Sequence, residues 1–304
     1  MRGMGIGTGL ASGLLAAILV AVALGPSLSA SSYWEKVGPP LEPPGAKHWL
    51  GTDELGRDVL VRLLQAGRVS LAVGMAAAMA AALGGTAIGL LAGMRGGWVD
   101  TILMRVADVF LAIPALPVLL IVAAVDLEKP LAGLQAALGR AEWNLPALAF
   151  SPWVSAGRLL FAVSLFGWMG TARLVRTETQ RLKERDFVLA LRAAGVRQTR
   201  IAFRHVLPHC MAAIVVATST AIAVNILYET ALGFLGLGIA PPTPSWGGML
   251  ESARVYSYYR APWLIYFPGL AITATVLCIN ILADRIQDWT DPRRDPNARA
   301  RVYN

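Results

Sequence analysis

Apolar residues in this chain form long unbroken runs, not the alternation of a half-buried strand or the narrow stripe of a surface helix. Six runs stand out, at about 10–30, 69–94, 102–125, 159–176, 211–235 and 263–283. A helix needs about 20 apolar residues to cross a hydrocarbon layer of roughly 30 Å, and the runs are of that order. In hydrocarbon the backbone N–H and C=O groups must bond within their own segment, so helix is the expected form. The predicted fold class is all-α, an integral membrane protein of about six transmembrane helices. In the second run Gly85, Gly89 and Gly93 recur at every fourth position. That spacing predicts a neighbouring helix packed backbone to backbone.

Polar residues between the runs are placed unevenly. Residues 173–204 hold Arg173, Arg176, Arg181, Lys183, Arg185, Arg192, Arg197, Arg200 and Arg204 against Glu178, Glu184 and Asp186, whereas 126–157 has only Lys129 and Arg140 as bases. Positively charged loops stay on the cytoplasmic side. The 173–204 segment and the tail from Arg285, with Arg293, Arg294, Arg299 and Arg301, are therefore expected inside. Both termini follow them, and 31–68 falls outside. The first run also has the layout of a secretory signal, with Arg2 ahead of it and Ser29 and Ala30 after it; a retained anchor is the expectation.

Composition narrows the function classes. At 56% hydrophobic and 15% charged residues, the chain departs from the soluble balance. Its net charge of +8 sits between apolar spans and forms no face for nucleic acid. Cys210 and Cys278 lie in or beside apolar stretches and predict no disulfide framework, and His48, His205 and His209 are too scattered for a metal site. With no Gly-Lys dipeptide there is no phosphate-binding G-x-x-x-x-G-K-[ST] loop, so any energy source lies on another polypeptide. The alternative of a membrane-embedded protease or lipid-modifying enzyme finds no H-E-x-x-H or G-x-S-x-G string. No catalytic or metal residue and no cofactor is assigned.

Polar groups inside spans need a partner or a wet path. Asn225 and Glu229 share one helix face at i and i+4, either lining a pore or bonding a neighbouring helix; Arg105 and Asp108, at i and i+3, are expected to pair at the interface. From about Lys183 to Ala194 good helix formers carry Phe187, Val188, Leu191 and Ala194 on one face, and Gly195 follows as a helix stop. A second helical run is expected to end at Pro208. The result is a helical hairpin with small Ala190, Ala193 and Gly195 at its tip.

Several strings in register carry a resemblance: HWLGTDELGRDVLVRLL (His48–Leu64), GGWVD (Gly96–Asp100), LMRVADVFLAIP (Leu103–Pro114), RLVRTETQRLKERDFVLALRAAGVRQTRIAFRHVLPH (Arg173–His209), ETALGFLGLGIAPPTPSWGGML (Glu229–Leu250) and APWLIYFPGLAI (Ala261–Ile272). The chain resembles the permease subunits of oligopeptide, dipeptide and nickel ABC importers, and of their two permease types the second. The resemblance implies the type I ABC importer permease fold. It divides the chain into an N-terminal anchor and external segment (1–68), a core (69–290) with a cytoplasmic coupling loop (177–209), and a tail (291–304). Glu184, Phe187, Val188, Ala190, Ala193, Gly195, His205 and Pro208 would form that coupling loop. Implied partners are a second permease, two ATPase subunits or domains holding ATP and Mg²⁺, an extracytoplasmic binding protein and lipid. The implied place is the inner membrane of a bacterium or archaeon. Leu189, Leu191, Val196 and Arg197 depart from the family pattern. Segment 126–157, with Trp143, Pro146, Pro152 and Trp153, is longer than expected and reads as an interfacial or receptor-contacting element.

Overall fold

A computed structural model describes residues 6–29, 31–125, 152–254 and 260–290; most of segment 126–157 and the tail lie outside them. The helices are α1 (Ile6–Leu28), α2 (Val59–Arg95), α3 (Gly97–Ala112), α4 (Ala115–Ala123), α5 (Pro152–Lys183), α6 (Asp186–Ala193), α7 (Gln198–Ile201), α8 (Leu207–Phe234), α9 (Trp246–Ala253) and α10 (Trp263–Thr290). Among the described residues five helices are long and apolar enough to cross a membrane, with a sixth span if α3 and α4 count as one.

Three expectations are corrected. The run 102–125 is two helices meeting at 87°, not one straight span. Pro114 has no N–H and crowds the residue before it, and Ile113 is accordingly extended at φ −89°, ψ 130°. Next, α2 starts ten residues before its apolar run, because Asp58 caps it by accepting from the N–H groups of Leu60 (2.8 Å) and Val61 (3.2 Å). The boundary drawn at residue 68 thus falls inside α2. Finally, the chain does not stop at Pro208. A π-type turn, Ala202–Val206, joins α7 to α8, and Leu207 N–H reaches back to Ala202 C=O. Pro208 then occupies the first turn of α8, where an N–H is least missed.

Packing builds on α2, which lies along α5 with Gly85, Gly89 and Gly93 facing Thr171, Val175 and Thr179. A Cβ added at Gly89 would stand 2.4 Å from the Ala172 carbonyl oxygen. Such contact is open only to residues without side chains, as the fourfold spacing predicted. Running antiparallel to α2, α8 places Ile226 over Gly74, and Leu90 shares a buried cluster with Cys210 and Ile214. Pro26 deprives the Val22 carbonyl of its helical donor. Arg68 of α2 takes up that carbonyl through Nε (2.9 Å) and also bonds Ser27 Oγ (2.8 Å), so α1 is joined to the core through the gap its own proline opens.

One end of the bundle, the cap end, carries segment 31–58. There Asp53 bonds Arg57 Nε (2.6 Å) and Arg62 Nε (3.1 Å), His48 Nδ1 meets Asp58 Oδ2 (3.0 Å), and Trp263 Nε1 donates to the Thr52 carbonyl (3.3 Å). Buried Trp246 packs beneath with Val59, Leu264 and Ile272. The other end, the hairpin end, carries α6 and α7.

Candidate functional site

At the hairpin end the helices that leave the bundle are tied down first. Arg176 forks onto Asp100 with two 2.6 Å bonds, Gln180 adds a third to the same carboxylate (3.0 Å), and Lys183 Nζ donates to the Gly93 carbonyl (3.2 Å). Paired guanidinium and carboxylate forks fix direction as well as distance. Beyond Lys183 the chain turns into α6.

A Schellman motif ends α6. Gly195 N–H bonds the Arg192 carbonyl (3.0 Å), Val196 N–H bonds the Leu191 carbonyl (3.0 Å), and Gly195 sits at φ +75°, where residues with a Cβ are strained. The predicted stop and its left-handed backbone are thus both present. The two faces of α6 differ sharply. Val188 is fully buried with Val175 of α5 and Ile201, Val206, Cys210 and Ile214 of the returning chain, and Leu191 packs at the edge of that cluster. Glu184, Ala190, Ala193 and Gly195 are exposed. Phe187 and Ala194 do not join Val188 inside: Ala194 is exposed, and the Phe187 ring stacks on His209 at 5.6 Å, a second tie from α6 to α8. His205 is half-buried and its carbonyl receives His209 Nδ1 (2.7 Å); Pro208 is exposed. The hairpin therefore offers a small-residue outer face on a base that is continuous with α5 and α8.

Asn225 and Glu229 do come together on one face of α8, but that face is closed. Glu229 is fully buried beside the hydroxyl groups of Ser70 and Ser245, and Asn225 is buried one turn away. Both Glu229 oxygens and Asn225 Nδ2 lack a hydrogen bond of ordinary geometry among the described residues. The joint between α2, α8 and α9 thus encloses a buried polar group. In this conformation both residues are buried within the chain. Glu229→Gln keeps the shape and should leave the yield of monodisperse protein in detergent near that of the parent. Glu229→Arg brings a larger group that the closed joint cannot seat, and should cost most of that yield.

The sequence profile of the family "Binding-protein-dependent transport system inner membrane component" matches residues 85–296. The chain belongs to that family. The permease is similar to the dipeptide transport permease DppC of Alkalihalophilus pseudofirmus, at 38% identity over 88% of this chain and 80% of the relative. Against the di/tripeptide permease DppC of Pseudomonas aeruginosa the identity is 39%, over 83% and 75%. Against the oligopeptide permease OppC of Bacillus subtilis it is 33%, over 83% and 74%. The permease is a multi-pass membrane transport subunit of an ABC importer with the type I permease fold.

Three features of the permease escaped the sequence. Asp100 and Arg176 stand 76 positions apart, and no local spacing joins them. Arg105 was expected to hold Asp108, yet Asp108 pairs with Arg173 across the α3–α5 contact. Arg68 carries no motif or spacing that points to its partner. Only the proline gap in α1, brought alongside by folding, explains it.

Proposed function

We propose that this permease and a second, homologous permease form the translocation path for peptides or related small solutes, driven by separate ATPase subunits that seat on α6. The observation that carries the reading is the asymmetry of α6. Its outer face, Ala190, Ala193 and Gly195, leaves room for close approach, while Val188 and Phe187 tie it to α5 and α8. A push on the outer face is then a push on two spans. ATP and Mg²⁺ belong to the ATPase subunits and none to this chain, and an extracytoplasmic binding protein delivers the solute. The peptide class is supported by relatives named for dipeptide, di/tripeptide, oligopeptide and glutathione transport. By the charge of its loops, the hairpin end with both termini is cytoplasmic and the cap end is external.

Copurification tests the assembly, since tagged permease should bring down one further permease and two ATPase copies or domains. Sidedness is read with single cysteines after the two buried ones, Cys210 and Cys278, are replaced. An impermeant thiol reagent on intact cells should label position 47, which is exposed at the cap end, and spare position 187. Labelling of 187 from outside would overturn the orientation.

A further inference from the structure

At the cap end lies a cavity of about 400 Å³ between segment 54–62, the loop after α8 and the helix α9. Arg57 and Arg62 stand in one wall and are already neutralised. Asp53 holds both through Nε, Glu54 takes Arg57 Nη2 (3.1 Å), and Arg62 Nη1 also reaches the Tyr33 carbonyl (3.2 Å). Glu251 of α9 lines the same cavity; its carbonyl accepts from the Arg254 N–H (3.1 Å), while its carboxylate has no hydrogen bond or ion pair among the described residues. Glu54 and Glu251 line the cavity with the two guanidinium groups, and Asp53 behind that wall, bonded to both through Nε, is a third carboxylate. With Asp53 counted, the charged side chains around the cavity carry one excess negative charge among the described residues.

Its other walls suit an ammonium group. Ser252 spends its hydroxyl proton on the Gly248 carbonyl (3.1 Å), which leaves its oxygen lone pairs as acceptors, and Thr243 lines the same space. An ammonium has three donors and no acceptor, so a carboxylate with a hydroxyl oxygen is a matching set. Pro241, Pro242 and Pro244 add a stiff apolar side. The volume is at the small end of the roughly 300–1,000 Å³ typical of small-molecule sites, enough for the end of a peptide but not for a long chain. A metal ion fits less well, because no three His, Cys, Asp or Glu side chains are placed to hold one among the described residues.

We propose that this cavity receives the α-ammonium end of the transported peptide, with Glu251 as its counter-charge. The inference rests on the peptide-import reading above and adds a substrate contact to it. Its test uses the whole complex in proteoliposomes, saturated with the binding protein loaded with alanyl-alanine. Glu251→Gln should lower the maximal uptake rate roughly tenfold, the order of one charge-assisted hydrogen bond. Capture of the binding protein by the complex should not change, and Glu251→Asp should recover part of the rate. Uptake by Glu251→Gln within twofold of the parent overturns the proposal. So does weaker capture of the binding protein, which would make Glu251 a protein contact. Because the Glu251 carboxylate has no partner among the described residues, loss of folded protein in this variant would contradict the assignment as well. A parent complex that imports no alanyl-alanine removes the peptide reading itself, a failure distinct from an unaffected variant in an active complex.

Discussion

Gly89→Leu is expected to abolish the folded permease, whereas Gly84→Leu, five residues earlier on the same helix, should leave it intact. At Gly89 a Cβ meets the Ala172 carbonyl oxygen at 2.4 Å and Val175 Cβ at 2.9 Å, while at Gly84 it meets nothing within 4 Å. The obstruction at Gly89 is backbone, which no rotamer change relieves, so α2 and α5 must separate along their length. Overpacking a core typically costs about 1–3 kcal/mol where side chains can give way. A backbone clash in the most extensive helix pair should cost more, against a total stability of about 5–15 kcal/mol. At Gly84 a leucine only raises helix propensity on an open face. The measurement is the yield of monodisperse protein from membranes into mild detergent. Parent-like yield of Gly89→Leu would show that the α2–α5 contact is not as tight as described.

Gly195→Trp should give the opposite kind of loss, a permease that reaches the membrane and folds but no longer transports. The Cβ at Gly195 points into open space, so nothing in the chain opposes a large side chain. What remains is the positive φ of +75°, worth on the order of 1–3 kcal/mol for a residue with a Cβ. Gly195→Ala carries that strain without the bulk and separates the two effects. We expect Gly195→Ala to lower thermal stability slightly and keep most transport. In Gly195→Trp the bulk occupies the space the ATPase subunit needs, and substrate-stimulated ATP hydrolysis by the complex should fall to background. Normal transport by Gly195→Trp with the ATPase still bound would remove α6 as the coupling element.

Much of the bundle was legible because its causes are local. An apolar run of helical length has few alternatives in a bilayer, and glycines four apart announce a close contact whichever helix supplies the other side. Gly195 was readable for the same reason, since a stop that needs a left-handed residue is written into one position. Proline punctuation was harder to read. Pro114 breaks a run whose hydrophobicity is continuous, and Pro208 fails to end a run because the π-type turn before it absorbs the missing N–H. Hydropathy cannot register either event, as it averages over the bond that is lost.

The sequence by itself determined the helical membrane class, the hairpin with its small-residue tip and the α2 glycine face. Tertiary structure alone decided which polar groups meet. Asp100 found Arg176, Arg68 found the carbonyl freed by Pro26, and Glu229 was closed inside a joint. The physical reason is that hydrophobic burial is additive and indifferent to partner, so it can be read off a run of residues. A hydrogen bond or ion pair requires two particular groups within about 3 Å, and only the folded chain sets that distance. The same reason hid Glu251, an ordinary acid in the sequence. It becomes an unmatched charge only when α9 is laid against Arg57 and Arg62, whose own partners are already in place.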